Sequence, residues 1–415
     1  MDYPWLFHEA TLCRRSSSRA PSRFLGVFGE FRRQLASISL ISTVIWFVGS
    51  SAIAEDRGEI ERLKERCEQL KDQFKWSDAT SVAEEILVLT EQKYGKQDAQ
   101  TADAMYSFAW LANCAGQSAK AEVLWEKTLA LEEKLFGKDS PQAARSLLTL
   151  ADLNSSRGGY EKAEELLQRA FRNLEPAPTA YRLELGKVLQ SLGSLYFIHS
   201  GDLEKAETFL LRASGILERC QGVTGEEYLA RTLLGLGYLR MRLDDLASAE
   251  PLFVRAIQLR EKNLGPRHPD TVTAKADLAW LYGLRRELTR AEPLFRECLA
   301  IEEEVYDSSE RNKSFSTLKK FGEMYLNGQE LAKAEQLLTR ALTVSEGNAY
   351  LARERVPLVL NLLGLLYEGR GDYEKAVGFH ERAYRAFEEN LGPVACLLHF
   401  QLAPSRARSP CPRTN

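Results

Sequence analysis

One pattern constrains this chain more than any other feature: an alanine recurs at nearly constant intervals. Each of these alanines follows a turn sequence and precedes an amphipathic run. The eight positions are Ala79, Ala121, Ala163, Ala206, Ala249, Ala291, Ala334 and Ala376. Successive alanines are 42 or 43 residues apart. A period held over so many intervals is typical of a repeat array, in which each repeat is one supersecondary unit, and not of independent globular domains.

The residues around these anchor alanines predict two helices in each repeat. Thirteen positions upstream, a large apolar residue is followed by Ala or Gly, as in Leu278-Ala279 and Leu363-Gly364, and the fourth repeat contains one extra residue, so its pair is Leu192-Gly193. Four positions after most of the anchors stands a bulky residue, and three further a small one. These spacings put both on one helical stripe. The sequence therefore predicts an all-α solenoid of about eight antiparallel helix pairs.

This signature, L-[AG]-x-x-Y followed by G-x-Y-x-x-A, resembles the tetratricopeptide repeat (TPR), whose standard period is about 34 residues. The lengthened period and the segment AEPLFVRAIQLREKNLGPRHPDT at 249–271 resemble the kinesin light chain type of this repeat. The resemblance covers about residues 60 to 393. It implies a TPR-like α/α superhelix, right-handed, in which the first helix of each pair lines a concave groove.

Charge and hydropathy divide the chain into four segments: a basic N-terminal extension (1–34), an apolar run (35–54), the solenoid (55–393) and an irregular tail (394–415). The solenoid carries more acidic than basic side chains and has no basic stripe interleaved with aromatic residues. Such a body repels polyphosphate, so no nucleic-acid partner is expected.

The run from Leu35 to Ala54 is uncharged, follows Arg32-Arg33 and ends in the small-x-small sequence Ala52-Ile53-Ala54. It is typical of a signal peptide, and its length also suits a membrane anchor. The sequence thus predicts an exported protein, periplasmic or secreted, with cleavage after Ala54 or retention as an N-terminal anchor as the two interpretations. The long region before this run is explained by a downstream translation start, with an organelle transit peptide as the competing account.

No pattern of catalytic or metal-binding residues is present in the sequence. The seven cysteines and five histidines are scattered, without a CxxC pair or zinc-ligand spacing. GxSxG, P-loop and HExxH motifs are lacking. In Leu264-Gly265-Pro266-Arg267-His268-Pro269-Asp270-Thr271 we expect Gly265 to end one helix in a left-handed cap and Asp270 or Thr271 to cap the next. The chain is therefore predicted to be no enzyme and to bind neither cofactor nor metal.

The last repeat is predicted to end at Leu391-Gly392-Pro393, the same stop as Leu264-Gly265-Pro266. No polar capping helix follows it, which leaves the last repeat with an apolar flank. A truncated or frame-shifted end and a docking tail are the two explanations considered.

The predicted function is a protein-interaction scaffold that binds a peptide or a partner helix in the concave groove. A membrane-anchored assembly or sensing factor built on the same repeats is the alternative. The candidate partner-binding residues lie at groove positions of the first helices: Tyr106, Trp110, Asn113, Arg145, Gln190, Phe197, Arg231, Tyr238, Trp280, Lys319 and Asn361.

Overall fold

The computed structural model describes residues 58–71, 73, 75–305, 314–347 and 349–402. The predicted basic extension and the apolar run 35–54 lie outside these residues. The described chain forms two compact units, an N-terminal unit up to Tyr228 and a C-terminal unit from Leu229 onward. Each unit is built from helices, and no strand occurs among the described residues.

The N-terminal unit contains the first four helix pairs. They are α1 (residues 58–71) with α2 (Trp76–Tyr94), α3 (Ala99–Cys114) with α4 (Ser118–Phe136), α5 (Ala144–Ser156) with α6 (Tyr160–Leu174), and α7 (Arg182–Leu195) with α8 (Leu203–Leu217). Short 3-10 turns, Pro141–Ala143 and Thr179–Tyr181, lead into α5 and α7. The unit boundary falls within α9 (Val223–Arg242).

The C-terminal unit contains the remaining pairs. They are α9 with α10 (Leu246–Leu264), α11 (Pro269–Leu284) with α12 (Leu288–Val305), α13 (Phe315–Asn327) with α14 (Leu331–Glu346), and α15 (Ala349–Arg370) with α16 (Tyr373–Leu402). Within this unit each second helix also packs against the first helix of the next repeat, as α10 does on α11 and α14 on α15. The predicted all-α solenoid of helix pairs is confirmed.

Every anchor alanine lies inside a second helix and is 0–2% exposed. Each of the second helices begins three residues before its anchor, from Trp76 before Ala79 to Tyr373 before Ala376. The bulky residues four positions after the anchors, such as Phe253 and Phe295, are fully buried. The predicted stripe is therefore the contact face between the two helices of a pair.

Gly193 shows why the first helix needs a small residue opposite this bulky one. A Cβ atom at Gly193 would lie 2.6 Å from Cγ of Leu210, closer than real side chains approach. The backbone of α7 can therefore approach Leu210 only because Gly193 has no side chain.

The extra residue of the fourth repeat is accommodated by a π turn. Residues Tyr196–Ser200 form a π-helical turn at the end of α7, between Gly193 and the anchor Ala206. A single inserted residue in a helix is commonly absorbed in this way. Because the turn takes up the extra residue, α8 still begins three residues before its anchor Ala206, as in the other repeats.

Successive repeats are joined by a recurring tyrosine–glutamate hydrogen bond. The Tyr196 hydroxyl donates to Glu164 at 2.6 Å, and the Tyr282 hydroxyl donates to Glu250 at 3.0 Å; Tyr367 and Glu335 make the same contact. The glutamate directly follows the anchor alanine, and the tyrosine lies near the end of the next first helix. Cations cover these rings, with the Arg290 guanidinium 3.8 Å from the Tyr282 centroid. Each contact ties one helix pair to the next.

One predicted cap conformation and one predicted helix end differ in the structure. Gly265 has the expected positive φ of 92°, but its ψ of 160° is extended and not left-handed helical. The helix α16 continues through Leu391-Gly392-Pro393 to Leu402, so the predicted tail is helical at its start. A proline removes one helical hydrogen bond without necessarily ending the helix. Pro251, Pro293 and Pro357 likewise lie inside helices.

Candidate partner-binding surface

The predicted groove residues lie on first helices, as the repeat register requires. In the N-terminal unit, Tyr106, Trp110 and Asn113 are on α3, Arg145 is on α5, Gln190 is on α7 and Phe197 is in the π turn. In the C-terminal unit, Arg231 and Tyr238 are on α9, Trp280 is on α11, Lys319 is on α13 and Asn361 is on α15. They differ in how much of each side chain a partner could reach.

Four of these residues offer almost no surface: Gln190, Phe197, Arg231 and Tyr238 are only 3–6% exposed. Gln190 donates its amide to the Ser194 hydroxyl at 2.8 Å, and Tyr238 packs edge-on against Phe253 with centroids 5.5 Å apart. Phe197 lies in the π turn. The prediction assumed a regular α-helix at this point, and the π turn makes the side chain point in a different direction. The expectation that these four side chains are exposed is wrong, because they pack within the repeats.

Half-exposed candidates lie together on α3 and α5 in the N-terminal unit. We call Asp103, Tyr106, Trp110, Asn113 and Arg145 the α3–α5 surface. The Arg145 guanidinium lies 4.0 Å from the Tyr106 centroid and donates to Asp103 at 2.7 Å. The side chains of Arg145 and Asp103 are 42% and 69% exposed. Tyr106 shares a 2.8 Å hydrogen bond with Thr149, which fixes its ring between the two helices.

Trp110 occupies the next turn of α3 beyond Tyr106. Its ring meets Trp76 edge-on, with centroids 6.1 Å apart, and the Lys71 ammonium lies 5.5 Å from the Trp110 ring. Asn113 Oδ1 accepts a hydrogen bond from Ser118 at 3.1 Å. Aromatic rings carrying cations on their faces form a rigid, half-buried platform suited to contact with apolar or aromatic groups.

Arg145 remains charged and controls the electrostatics of this surface. Burial lowers the pKa of Arg145, but the hydrogen bond with Asp103 and nearby negative charges outweigh it and leave the pKa raised. Beneath it, burial raises the pKa of Glu132, against the lowering effects of Ser146 and of Arg145, whose guanidinium is 3.6 Å away. The surface thus presents one fixed cation between an exposed and a buried carboxylate.

The candidates of the C-terminal unit are less concentrated. Trp280, Lys319 and Asn361 are each half-buried on a different helix. Asn361 is engaged within its own pair, since its Oδ1 lies 3.0 Å from Nδ1 of His380 on α16. The geometry therefore favours the α3–α5 surface over these positions.

Trp76, Lys71 and Glu132 belong to this neighbourhood but were not predicted from sequence. Groove positions were counted only on first helices, whereas Trp76 and Glu132 belong to second helices, and Lys71 ends α1. One signal could have identified Trp76. It begins the second helix of the first repeat, and the repeat register places it beside Trp110 on the following first helix.

His268 and Asp270 lie at the start of α11, where they take part in capping the helix. His268 is the N-cap of α11, and its Nδ1 accepts a hydrogen bond from the Asp270 backbone N–H at 3.2 Å. The prediction that Asp270 or Thr271 caps this helix is wrong, because Pro269 fills the first helical position and leaves His268 as the cap. Across the described ranges, no group of three or more His, Cys, Asp or Glu side chains is placed to hold a metal ion.

The fold and this surface define the class: an all-α repeat protein of stacked helix pairs with half-exposed aromatic side chains on its first helices. A model of the tetratricopeptide repeat matches residues 113–175, 228–304 and 313–389. These segments amount to more than half of the chain. The chain belongs to the tetratricopeptide repeat family.

Two curated relatives come from Arabidopsis thaliana. Protein KINESIN LIGHT CHAIN-RELATED 2 is 25% identical over 225 residues, which cover 51% of this chain and 34% of the relative. Protein KINESIN LIGHT CHAIN-RELATED 3 is 24% identical over 186 residues, which cover 43% and 28%. The chain spans about a third of the length of these relatives. With the long period, this likeness supports repeats of the kinesin light chain type.

Solved structures agree on the fold. Aspartyl phosphate phosphatase F from Bacillus subtilis superposes with a TM-score of 0.54 at 14% identity, covering 87% of this chain and 97% of that one. A Rap protein complexed with Competence and Sporulation Factor gives 0.51 at 14% identity, covering 80% and 98%. At such identity the likeness concerns the fold alone. None of the helices in the described residues is both long enough and apolar enough to cross a membrane.

Proposed function

We propose that this chain is a non-enzymatic scaffold whose α3–α5 surface binds an extended peptide or a partner helix. Membership of the tetratricopeptide repeat family supports the protein-interaction role. The observation that carries the site is the clustering of half-exposed Tyr106 and Trp110 beside Arg145 and Asp103. Aromatic and arginine side chains are the ones that most often dominate binding energy at interfaces.

The chemistry of the surface suggests how a partner is held. Trp110 and Trp76 offer an apolar platform for a large aliphatic or aromatic side chain, and Arg145 and Asp103 offer a donor and an acceptor beside it. Because Arg145 and Asp103 already pair with each other, the surface does not demand a strongly charged partner. A segment with one apolar anchor flanked by polar groups fits this arrangement.

The test compares captured partners between the wild-type chain and a Trp110→Ala variant. We expect the variant to lose specific partners, with binding weakened at least about tenfold, as for an interface anchor. Tyr94→Ala is the matched control, since Tyr94 is an aromatic residue, 36% exposed, at the end of α2. Circular dichroism checks that both variants stay folded. Equal capture by wild type and Trp110→Ala would show that the surface is wrongly assigned.

We further propose that the scaffold acts outside the cytoplasm, from the signal-like sequence at 35–54. N-terminal sequencing of the protein purified from its native cells tests this, and a mature N-terminus at Glu55 is expected. Retention of residues 35–54 in the membrane fraction would favour the alternative, an anchored assembly or sensing factor. An uncleaved chain in the cytoplasmic fraction would overturn both.

A further inference from the structure

The second helix of each internal repeat holds the next repeat through one face. Three positions on that face matter: three residues before, one after and eight after the anchor alanine. In α12 these are Leu288, Glu292 and Leu299. Leu288 reaches the end of α13, where its Cδ1 lies 3.8 Å from the place of a Cβ atom on Gly328. In three other repeats the central glutamate, Glu164, Glu250 or Glu335, contacts the tyrosine of the following repeat.

The last second helix, α16, carries different residues at these positions. Tyr373, Val377 and Tyr384 stand where α12 has Leu288, Glu292 and Leu299, and we call them the terminal strip. Their spacing of four and seven residues puts them on one side of the helix. Tyr373 is 69% exposed and Val377 is 56% exposed, and Tyr384 is half-buried. Tyr373 and Val377 are thus open to solvent on the face that, in internal repeats, contacts the next repeat.

Val377 determines what kind of surface can cover this strip. The internal glutamate accepts a hydrogen bond from a tyrosine hydroxyl, as Glu250 does from Tyr282 at 3.0 Å. Valine accepts none, and a hydroxyl placed over it would be buried without a partner, at a cost of about 1–3 kcal/mol. A covering helix must therefore be apolar at this point, unlike the first helix of a further repeat.

The opposite end of the described repeats does not supply such a surface. Apart from Gly58, every exposed position of α1 is charged or polar. Head-to-tail stacking of copies would bring this polar face against the terminal strip. Of the two end helices that the described residues form, α1 is polar on its exposed face and α16 carries the terminal strip, so a second copy offers the strip a matching apolar surface.

The charges bordering the terminal strip do not oppose such self-association. Lys375 pairs with Asp372 at 2.8 Å, and Arg385 pairs with Glu381 at 3.7 Å, all within or just before α16. Both signs alternate along the rim and are paired locally. Two copies that approach in opposite directions therefore meet mixed charges and no single-sign repulsion.

We propose that two copies of this chain associate through the terminal strip of α16. The contact is isologous, so Tyr373, Val377 and Tyr384 of one copy face the same residues of the other about a two-fold axis. It covers the apolar flank of the last repeat, as a following repeat does at internal positions. This inference is independent of the partner-binding surface on α3 and α5.

The test is sedimentation velocity of the full chain over a range of concentrations, with wild type compared to Val377→Glu. We expect a wild-type dimer and at least about a hundredfold weaker self-association in the variant, because glutamate would bury an unpaired charge at the contact. Glutamate is the residue that internal repeats carry at this position, so the fold should be kept. Circular dichroism verifies that it is.

Val123→Glu is the matched control, because Val123 is 49% exposed on α4, two residues after its anchor. It should leave the dimer unchanged, whereas the milder Tyr373→Ser should weaken it in the same direction as Val377→Glu. A wild-type chain that is monomeric at all concentrations overturns the proposal. So does association that Val377→Glu and Val123→Glu affect equally, since it would arise in another part of the chain.

Discussion

The α4–α5 junction and the α12–α13 junction bury a glutamate at the same position of the repeat but neutralise it differently. Glu132 and Glu302 each stand eleven residues after their anchor alanines, and they are 3% and 5% exposed. Glu132 has the Arg145 guanidinium 3.6 Å away, whereas Glu302 accepts a hydrogen bond from the Thr317 hydroxyl at 2.7 Å. One carboxylate is balanced by a half-exposed cation, and the other mainly by a hydroxyl.

The difference shows that the repeat position determines whether the glutamate side chain is buried, whereas its neighbours determine how readily the carboxyl is protonated. Burial raises the pKa of Glu302 to about 7, with Thr317, Ser314 and the more distant charges of Lys320 and Arg340 lowering it only in part. The cation of that junction, Lys320, is instead paired with the buried Asp277. The α12–α13 junction therefore contains more buried charge than the α4–α5 junction, and its stability should depend more on charge and on pH.

The largest expected effect is that of Lys320→Ala. The side chains of Lys320 and Asp277 are 5% and 1% exposed, so removing the ammonium leaves a buried carboxylate without its partner. Loss of one member of a buried pair costs about 3–5 kcal/mol. Urea unfolding followed by circular dichroism measures the loss, and hydrogen exchange should localise it to α11 and α13.

Lys333→Ala is the control for this substitution. Lys333 pairs with Glu330 at 3.6 Å, and both side chains are nearly half exposed, so its removal should change stability by about 0.5 kcal/mol or less. If both lysine variants cost the same, the contrast between buried and exposed pairs is wrong.

The second prediction concerns Glu302→Gln and pH. A folded pKa of about 7 lies above the ordinary value of 4.5, so the folded chain holds this proton more tightly than the unfolded chain. The contribution of Glu302 to stability is therefore most favourable below about pH 4.5, falls as pH rises toward 7, and is constant above. Glutamine removes this penalty. We expect the variant to be about 1–3 kcal/mol more stable than wild type at pH 8 and equal to it at pH 4.

Glu132→Gln is the corresponding substitution at the α4–α5 junction, where Arg145 lies 3.6 Å from the carboxylate. Its effect can be compared directly with that of Glu302→Gln. Burial also raises the pKa of Glu132, but Arg145 opposes the rise, so a smaller gain at pH 8 is expected. Thermal unfolding at a series of pH values measures both variants. A larger gain for Glu132→Gln than for Glu302→Gln would reverse the assignment of which junction carries the unbalanced carboxyl.

Arg145→Ala should make the α4–α5 junction resemble the α12–α13 junction, because the buried glutamate then lacks a neighbouring cation. The Arg145 side chain is 42% exposed, so solvent screens its ion pairs, and its loss together with the contact on Tyr106 should cost about 1 kcal/mol. Without the cation, the pKa of Glu132 should rise further. Stability should then fall more steeply with increasing pH than in wild type, which pH-dependent unfolding would detect. Parallel pH profiles would show that Arg145 does not balance Glu132.

Most of the fold could be predicted because it depends on spacing. The anchor alanines mark where two helices touch, and the contact distance allows only small residues there, so their recurrence every 42 or 43 residues identifies the helix pairs. The extra residue of the fourth repeat was visible in the sequence, but its outcome was not. Whether an insertion widens a helix, as at Tyr196–Ser200, or lengthens a loop depends on packing against α8.

The candidate surface was predicted less well, for a physical reason. Repeat register gives the direction in which a side chain points but not how closely the neighbouring helix approaches it. Tyr106 and Tyr238 occupy first-helix groove positions, yet Tyr106 is half-exposed beside Arg145 and Tyr238 is 3% exposed against Phe253. The tyrosine–glutamate contacts, by contrast, could have been recognised, since a glutamate follows the anchor in six repeats.

The smallest expected effect is that of Tyr325→Phe, which removes a tyrosine hydroxyl present at only one of the two junctions. The Tyr325 hydroxyl is buried between α12 and α13 without a hydrogen-bond partner among the described residues, and burial together with the negative charge of Glu292 raises its pKa to about 12. At the α4–α5 junction the corresponding residue is Asn154, whose amide bonds to its own helix at Leu150. Removing the Tyr325 hydroxyl should cost about 0.5 kcal/mol or less, whereas removing that of Tyr282, which donates to Glu250 at 3.0 Å, should cost about 0.5–1.5 kcal/mol. Chemical unfolding of Tyr325→Phe beside Tyr282→Phe measures it. A cost above 2 kcal/mol in both would mean that these contacts, and not the packing around the anchor alanines, dominate the coupling between repeats.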